Sequence, residues 1–113
     1  MSGYTRQQSY RLTRRLYKLI RENADHIKFR RLRGAYGLYA ANGDITIDHH
    51  RGCIIPTLIH EALHHWYPEW SETRVLQQEK KIMTSLTPQQ VINIMKVLVD
   101  HFCTARCNKN VQA

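Results

Sequence analysis

His60, Glu61 and His64 spell the pentad His-Glu-Ala-Leu-His, residue types at the spacing that metal-assisted hydrolysis requires. On a helix, positions i and i+4 share a face, so both imidazoles would reach one ion with a carboxylate next to them. Zn2+ held by two neutral ring nitrogens lacks a third protein ligand and keeps room for a water molecule, from which Glu61 could take a proton. The competing reading is a metal-free helical core. It gives no reason for two histidines and a glutamate on an otherwise apolar helix.

The surrounding sequence supplies elements able to hold the pentad. Leu12, Leu16, Leu19 and Ile20 recur at helical spacing between about 5 and 23, opposite Arg6, Arg11, Arg14, Arg15, Lys18 and Arg21. Three short alternating segments follow, His26 to Leu32, Tyr36 to Ala40 and Asp44 to His49. Asn42-Gly43 between the last two predicts a hairpin with a two-residue turn, which would set Leu38 opposite Ile47 and Ala40 opposite Ile45. Tyr39, Thr46 and Asp48 would then show on the other face. The pentad helix is expected to begin near Pro56 and to stop before Pro68; its apolar residues cover most of its circumference, which predicts a central position. Ser71 is a candidate N-cap for a third helix to about Leu86. Thr87-Pro88-Gln89-Gln90 is a capping box for a fourth, carrying Val91, Met95, Leu98 and Phe102. The expected class is α+β: an N-terminal helix, a small twisted sheet with a hairpin, the pentad helix and two further helices. Residues 1–113 read as one domain with a polar tail from about 104 to 113.

A third ligand is sought on the third helix. Val75, Leu76, Ile82, Met83 and Leu86 define its expected inward stripe, and Glu72 and Glu79, two turns apart, fall in the middle of it. Carboxylates on an apolar face are costly unless paired or bound to metal. Glu72, just past the Pro68 turn, is the leading candidate. Glu79 is the alternative ligand, or else a carboxylate that orients a histidine. Glu69, in the turn, and His65, rotated well away from His60, are weaker alternatives.

The run Thr-Leu-Ile-His-Glu-Ala-Leu-His-His-Trp-Tyr-Pro-Glu-Trp-Ser-Glu resembles the active-site helix and turn of zincin metallopeptidases, specifically gluzincins, and the size is similar to that of the compact minigluzincins. The resemblance covers about a fifth of the chain. It implies a zincin-like domain, a downstream Glu as third ligand, zinc as cofactor, and peptide-bond hydrolysis with Glu61 as general base. It also implies an edge strand that aligns an extended peptide substrate, a place that Asp44 to His49 would fill. The spacing from His64 to Glu72 is shorter than in larger gluzincins, and no Asn-Glu motif accompanies Glu72. Tyr67, His65 and His49 are the candidate oxyanion donors.

Charge points to a second surface. Residues 1–33 hold ten of the seventeen Lys and Arg and two acids, Glu22 and Asp25, so the whole net charge of +8 lies there. No acid between Thr5 and Arg21 offsets the six cations of the first helix. A solvated face is the ordinary reading. Self-repulsion favours an anionic partner, and Arg11, Arg14, Arg15, Lys18 and Arg21 are candidate contacts to nucleic acid, an anionic membrane or an acidic protein. A non-catalytic, zinc-stabilised nucleic-acid-binding module is the alternative to a peptidase. Three cysteines, Cys53, Cys103 and Cys107, show no repeated pair spacing and read as thiols, which with the absence of an apolar leader or spanning segment suggests a cytoplasmic protein. A thiolate from Cys103 or Cys107 capping the zinc is a further expectation that this composition permits.

Overall fold

The computed structural model describes residues 3–22, 27–29, 32–34, 37–40, 44–48 and 53–112, with side chains through Asp100 other than that of Tyr39. The chain forms helix α1 (Arg6–Glu22), strands β1 (Ile27–Phe29), β2 (Gly37–Tyr39) and β3 (Ile45–Ile47), then helices α2 (Ile54–Trp66), α3 (Glu72–Ser85) and α4 (Pro88–Gln112). This is the α+β order expected. Local chemistry starts each helix. Thr5 and Gln8 cap α1 reciprocally, with the Gln8 amide donating to Thr5 Oγ1 at 3.1 Å and the Thr5 amide to Gln8 Oε1 at 2.8 Å. Thr87 and Gln90 do the same for α4, at 3.1 and 2.9 Å. Ser71 accepts from the Arg74 amide and caps α3. Pro56 falls inside the first turn of α2, not at its first position; a first-turn amide has no intrahelical acceptor, so the proline costs no hydrogen bond there. Residues 89–112 contain no proline or glycine, and α4 continues through the segment read as a polar tail.

The sheet departs from expectation in register and order. β2 and β3 are antiparallel, but Leu38 lies opposite Thr46 and Tyr39 opposite Ile45, one residue from the expected pairing. The Ala40 amide donates to the Asp44 carbonyl at 2.9 Å, leaving three residues between the paired ends where a two-residue turn was expected. A one-residue slip exchanges faces. Ile45 and Ile47 enter the core as expected, while Leu38, expected on the same face, is half exposed. Asp48, expected on the outer face, is buried and accepts the Leu32 amide at 2.8 Å. β1 pairs with β3 in parallel, so the order is β1-β3-β2. The segment after Asp44 is thus central, and the strand beside α2 at the edge is β2.

One core joins the layers: Leu16, Leu19 and Ile20 of α1, Ile45 and Ile47 of β3, Ile55, Leu58, Ile59, Ala62 and Leu63 of α2, Val75 and Ile82 of α3, and Ile94 and Leu98 of α4. α2 is buried around most of its circumference, as its composition predicted. Ile94, not among the expected inward residues of α4, is fully buried, while Val91 and Met95 are half-buried. On α3, Leu76 leaves the expected stripe and is 49% exposed, because the groove beside α2 is open where it projects. Leu58→Ala is expected to lower unfolding free energy by about 2–5 kcal/mol in denaturant titration, and Leu76→Ala by no more than about 0.5 kcal/mol. Equal losses would contradict this assignment of inner and outer faces.

Candidate metal centre

α2 is packed on nearly every side, and the strip it leaves uncovered carries the pentad. His60 and His64 are half-buried on one helix face, with ring centroids 4.9 Å apart. Glu61 is 5% exposed and borders the same cleft. α3 doubles back after the Pro68 turn, its first residue, Glu72, brought over the histidines. Glu72 Oε1 lies 2.7 Å from His64 Nε2, and both Glu72 oxygens lie 3.1 Å from His60 Nε2. One ligand atom each from His60, His64 and Glu72 falls within 4.8 Å of the others, a group that could hold a metal ion.

The hydrogen-bond chemistry of His60 fits an ion in that space. Its Nδ1 is 2.8 Å from Glu79 Oε1, so Nδ1–H donates to Glu79. In the neutral ring this leaves the Nε2 lone pair facing the Glu72 carboxylate, two electron-rich groups at contact distance. A proton or a cation between them must resolve the repulsion. Donors about 2.0–2.1 Å from a tetrahedral zinc ion stand about 3.3 Å apart, wider than the 3.1 and 2.7 Å that separate Glu72 from His60 and His64. Glu72 is 62% exposed along its side chain and lines the cleft with both histidines, so an ion held by the three would be reached from the cleft.

Electrostatics separates the carboxylates. Burial pushes the Glu61 carboxyl up; the nearby imidazoles offset part of the rise, and Glu72 and Glu79 add to it. Partial burial also pushes Glu72 up, but its hydrogen bonds and charge interactions with His64 and His60 outweigh that and hold it below the usual carboxylate range. Glu61 has no hydrogen-bond partner among the described residues, whereas Glu72 and Glu79 are both engaged with imidazoles. The three carboxylates thus differ: Glu61 is buried, Glu72 meets the Nε2 atoms of both imidazoles, and Glu79 meets Nδ1 of His60.

The cleft, about 890 Å³, runs between the edge strand β2 and α3. Gly37 on its lining stands close against α2. A methyl group there would come within 2.7 Å of Thr57 Cγ2 and 2.9 Å of Glu61 Oε2. Sequence reading passed over Gly37, although a glycine inside a strand is a signal of close backbone approach. Of the other candidates, Glu69 is exposed in the turn and stands apart from the metal-ligating group. His65 is half-buried and does not line the cleft. The Tyr67 hydroxyl accepts from Arg15 Nη1 at 3.0 Å while its ring stacks on Trp70, 4.0 Å between centroids, so it is turned to α1 and not to the histidines. His49 and the side chains of Cys103 and Cys107 lie outside the described residues. Cys53, at the N-cap of α2, is a free thiol bordering the cleft.

Glu79→Gln is expected to weaken metal-ion binding by about 10–100-fold in competition with a chromophoric chelator, since an amide supports the Nδ1–H less strongly than a carboxylate. Unchanged affinity would remove Glu79 from the centre. No family model matches the chain, and neither a curated protein nor a solved structure matches it.

Proposed function

We propose that the protein is a small zinc metallopeptidase that hydrolyses peptide bonds. The observation that carries this reading is the grouping of His60, His64 and Glu72 beside the buried Glu61, which has no hydrogen-bond partner among the described residues. Bound zinc would lower the pKa of a coordinated water toward about 7 and polarise the scissile carbonyl. Glu61, its carboxyl raised by burial, takes the proton and delivers it to the departing amine, returning to the carboxylate form for the next turnover. Glu79 holds His60 in the tautomer and orientation that keep Nε2 directed at the ion.

β2 and α3 form the two walls between which an extended peptide would lie. The exposed Leu38 on one wall and Leu76 on the other offer apolar contact to its side chains. β2, not β3, is the edge able to receive such a chain, which transfers the substrate-aligning role away from the segment that follows Asp44. No described helix is long and apolar enough to cross a membrane, and the free thiol of Cys53 suits a reducing cytoplasm, the compartment we propose. A purely structural metal site, the alternative reading, would leave the cleft beside the ligands, and a Glu61 with no hydrogen-bond partner among the described residues, without a use.

Glu61→Gln is expected to retain zinc and to lose cleavage of an unfolded protein such as reduced casein, by at least about 10³-fold. Turnover persisting with zinc bound would sink the base assignment. Gly37→Ala should keep zinc as well while lowering turnover by about 10²-fold, because the added methyl displaces the Glu61 carboxylate. Wild-type turnover in that variant would show that the close approach has no part in the chemistry.

A further inference from the structure

The basic helix is untouched by the chemistry of the cleft. Arg11, Arg14, Arg15, Lys18 and Arg21 are all exposed and fall within an arc of roughly 120° of α1, opposite the buried Ser9, Thr13, Leu16, Leu19 and Ile20. Among the described residues no carboxylate lies within ion-pair distance of any of the five. Three of them, Arg14, Arg15 and Arg21, lie against aromatic rings instead. The guanidinium of Arg14 lies 5.7 Å from the Tyr10 ring centroid and that of Arg21 5.8 Å from Tyr17, the same Tyr-Arg pair repeated two turns apart along one border of the stripe. On the other side Arg15 sits 4.3 Å over Trp66 and 5.4 Å over Tyr67; Tyr67 stacks on Trp70, and Arg74 lies 4.5 Å over Trp70. A ladder of cations and rings thus carries the basic face from α1 across the α2–α3 turn.

We propose that this surface binds single-stranded nucleic acid, with α1 neutralising phosphates and the aromatic rings, Tyr10 foremost, stacking on bases. Guanidiniums held over rings keep their charge and their in-plane donors for phosphate oxygens. Tyr10, 55% exposed beside the stripe, presents a ring to solvent where a base could lie on it. An anionic membrane is a poorer fit. A helix that lies in a bilayer surface needs a free apolar face, and that of α1 is spent on the core, with Leu16, Leu19 and Ile20 at 0, 5 and 1% exposure. This inference does not depend on the cleft being a peptidase.

Fluorescence anisotropy of the full-length protein with a labelled single-stranded oligonucleotide of about 20 residues, between about 50 and 200 mM salt, tests it. The affinity is expected to fall with salt at a log–log slope near −3.5, about 0.7 for each of five neutralised phosphates. Replacing Arg11, Arg14 and Lys18 together by Ala should bring the slope to about −1.4. Tyr10→Leu should weaken binding about fivefold or more and leave the slope unchanged, a separation that charge alone cannot produce. Zinc content and far-UV circular dichroism confirm that both variants fold. The proposal is overturned by an absence of binding, by a salt-independent affinity, by Tyr10→Leu binding as tightly as the wild type, or by polyglutamate of equal charge competing as well as unlabelled oligonucleotide. Binding to phosphatidylserine vesicles with none to the oligonucleotide would overturn it in favour of a membrane surface.

Discussion

The burial of α2 is the constraint on which the rest of the structure depends. Its apolar residues pack against the sheet and against all three other helices, so its axis is fixed from every direction but one. The uncovered strip carries His60, Glu61 and His64. A surface helix could present the same pentad, but rotation and fraying would spread the ring nitrogens by more than a metal site tolerates. Here the ring positions follow from the packing of Leu58, Ile59, Ala62 and Leu63, and the partners on α3 and β2 need only meet a fixed target. Glu72 and Glu79 come from a helix held by Val75 and Ile82, and Gly37 lets the edge strand approach to where Glu61 stands.

Much of this frame was legible in the sequence, because its signals are local. Helical periodicity, the Thr87–Gln90 box, the Ser71 cap and the Pro68 stop act within a few residues, and each helix begins close to its expected position. The grouping of Glu72 with the histidines was also legible, since a short turn leaves α3 little choice but to fold back on α2. The division of labour between Glu72 and Glu79 was legible only as a preference. Both sit at positions compatible with a ligand, and only the meeting of Glu79 with Nδ1 of His60 and of Glu72 with Nε2 separates them. Nor does Glu72 lie in an apolar stripe as supposed; it stands at the exposed start of its helix, where the macrodipole favours a carboxylate.

What the sequence could not carry is non-local. Strand order is decided by the parallel pairing of β1 with β3 across most of the sheet segment, which no turn signal encodes. The register slip came from reading Asn42-Gly43 as a two-residue turn, and one extra loop residue was enough to send Leu38 outward. The aromatic contacts of Arg15 and Arg74 join α1, α2 and α3 and exist only in the folded chain. The outcome is a protein with two electrostatically opposed surfaces, an acidic cleft of three glutamates around two imidazoles and a basic helix whose charge no described carboxylate offsets.

X-ray absorption at the zinc edge of the purified protein tests the central claim most directly. A first shell of about four nitrogen and oxygen donors near 2.0–2.1 Å is expected, with the multiple-scattering signature of two imidazoles and no sulfur, losing one light donor in Glu72→Ala. Protein that binds no zinc, or a shell containing sulfur at about 2.3 Å, would contradict a centre built from His60, His64 and Glu72.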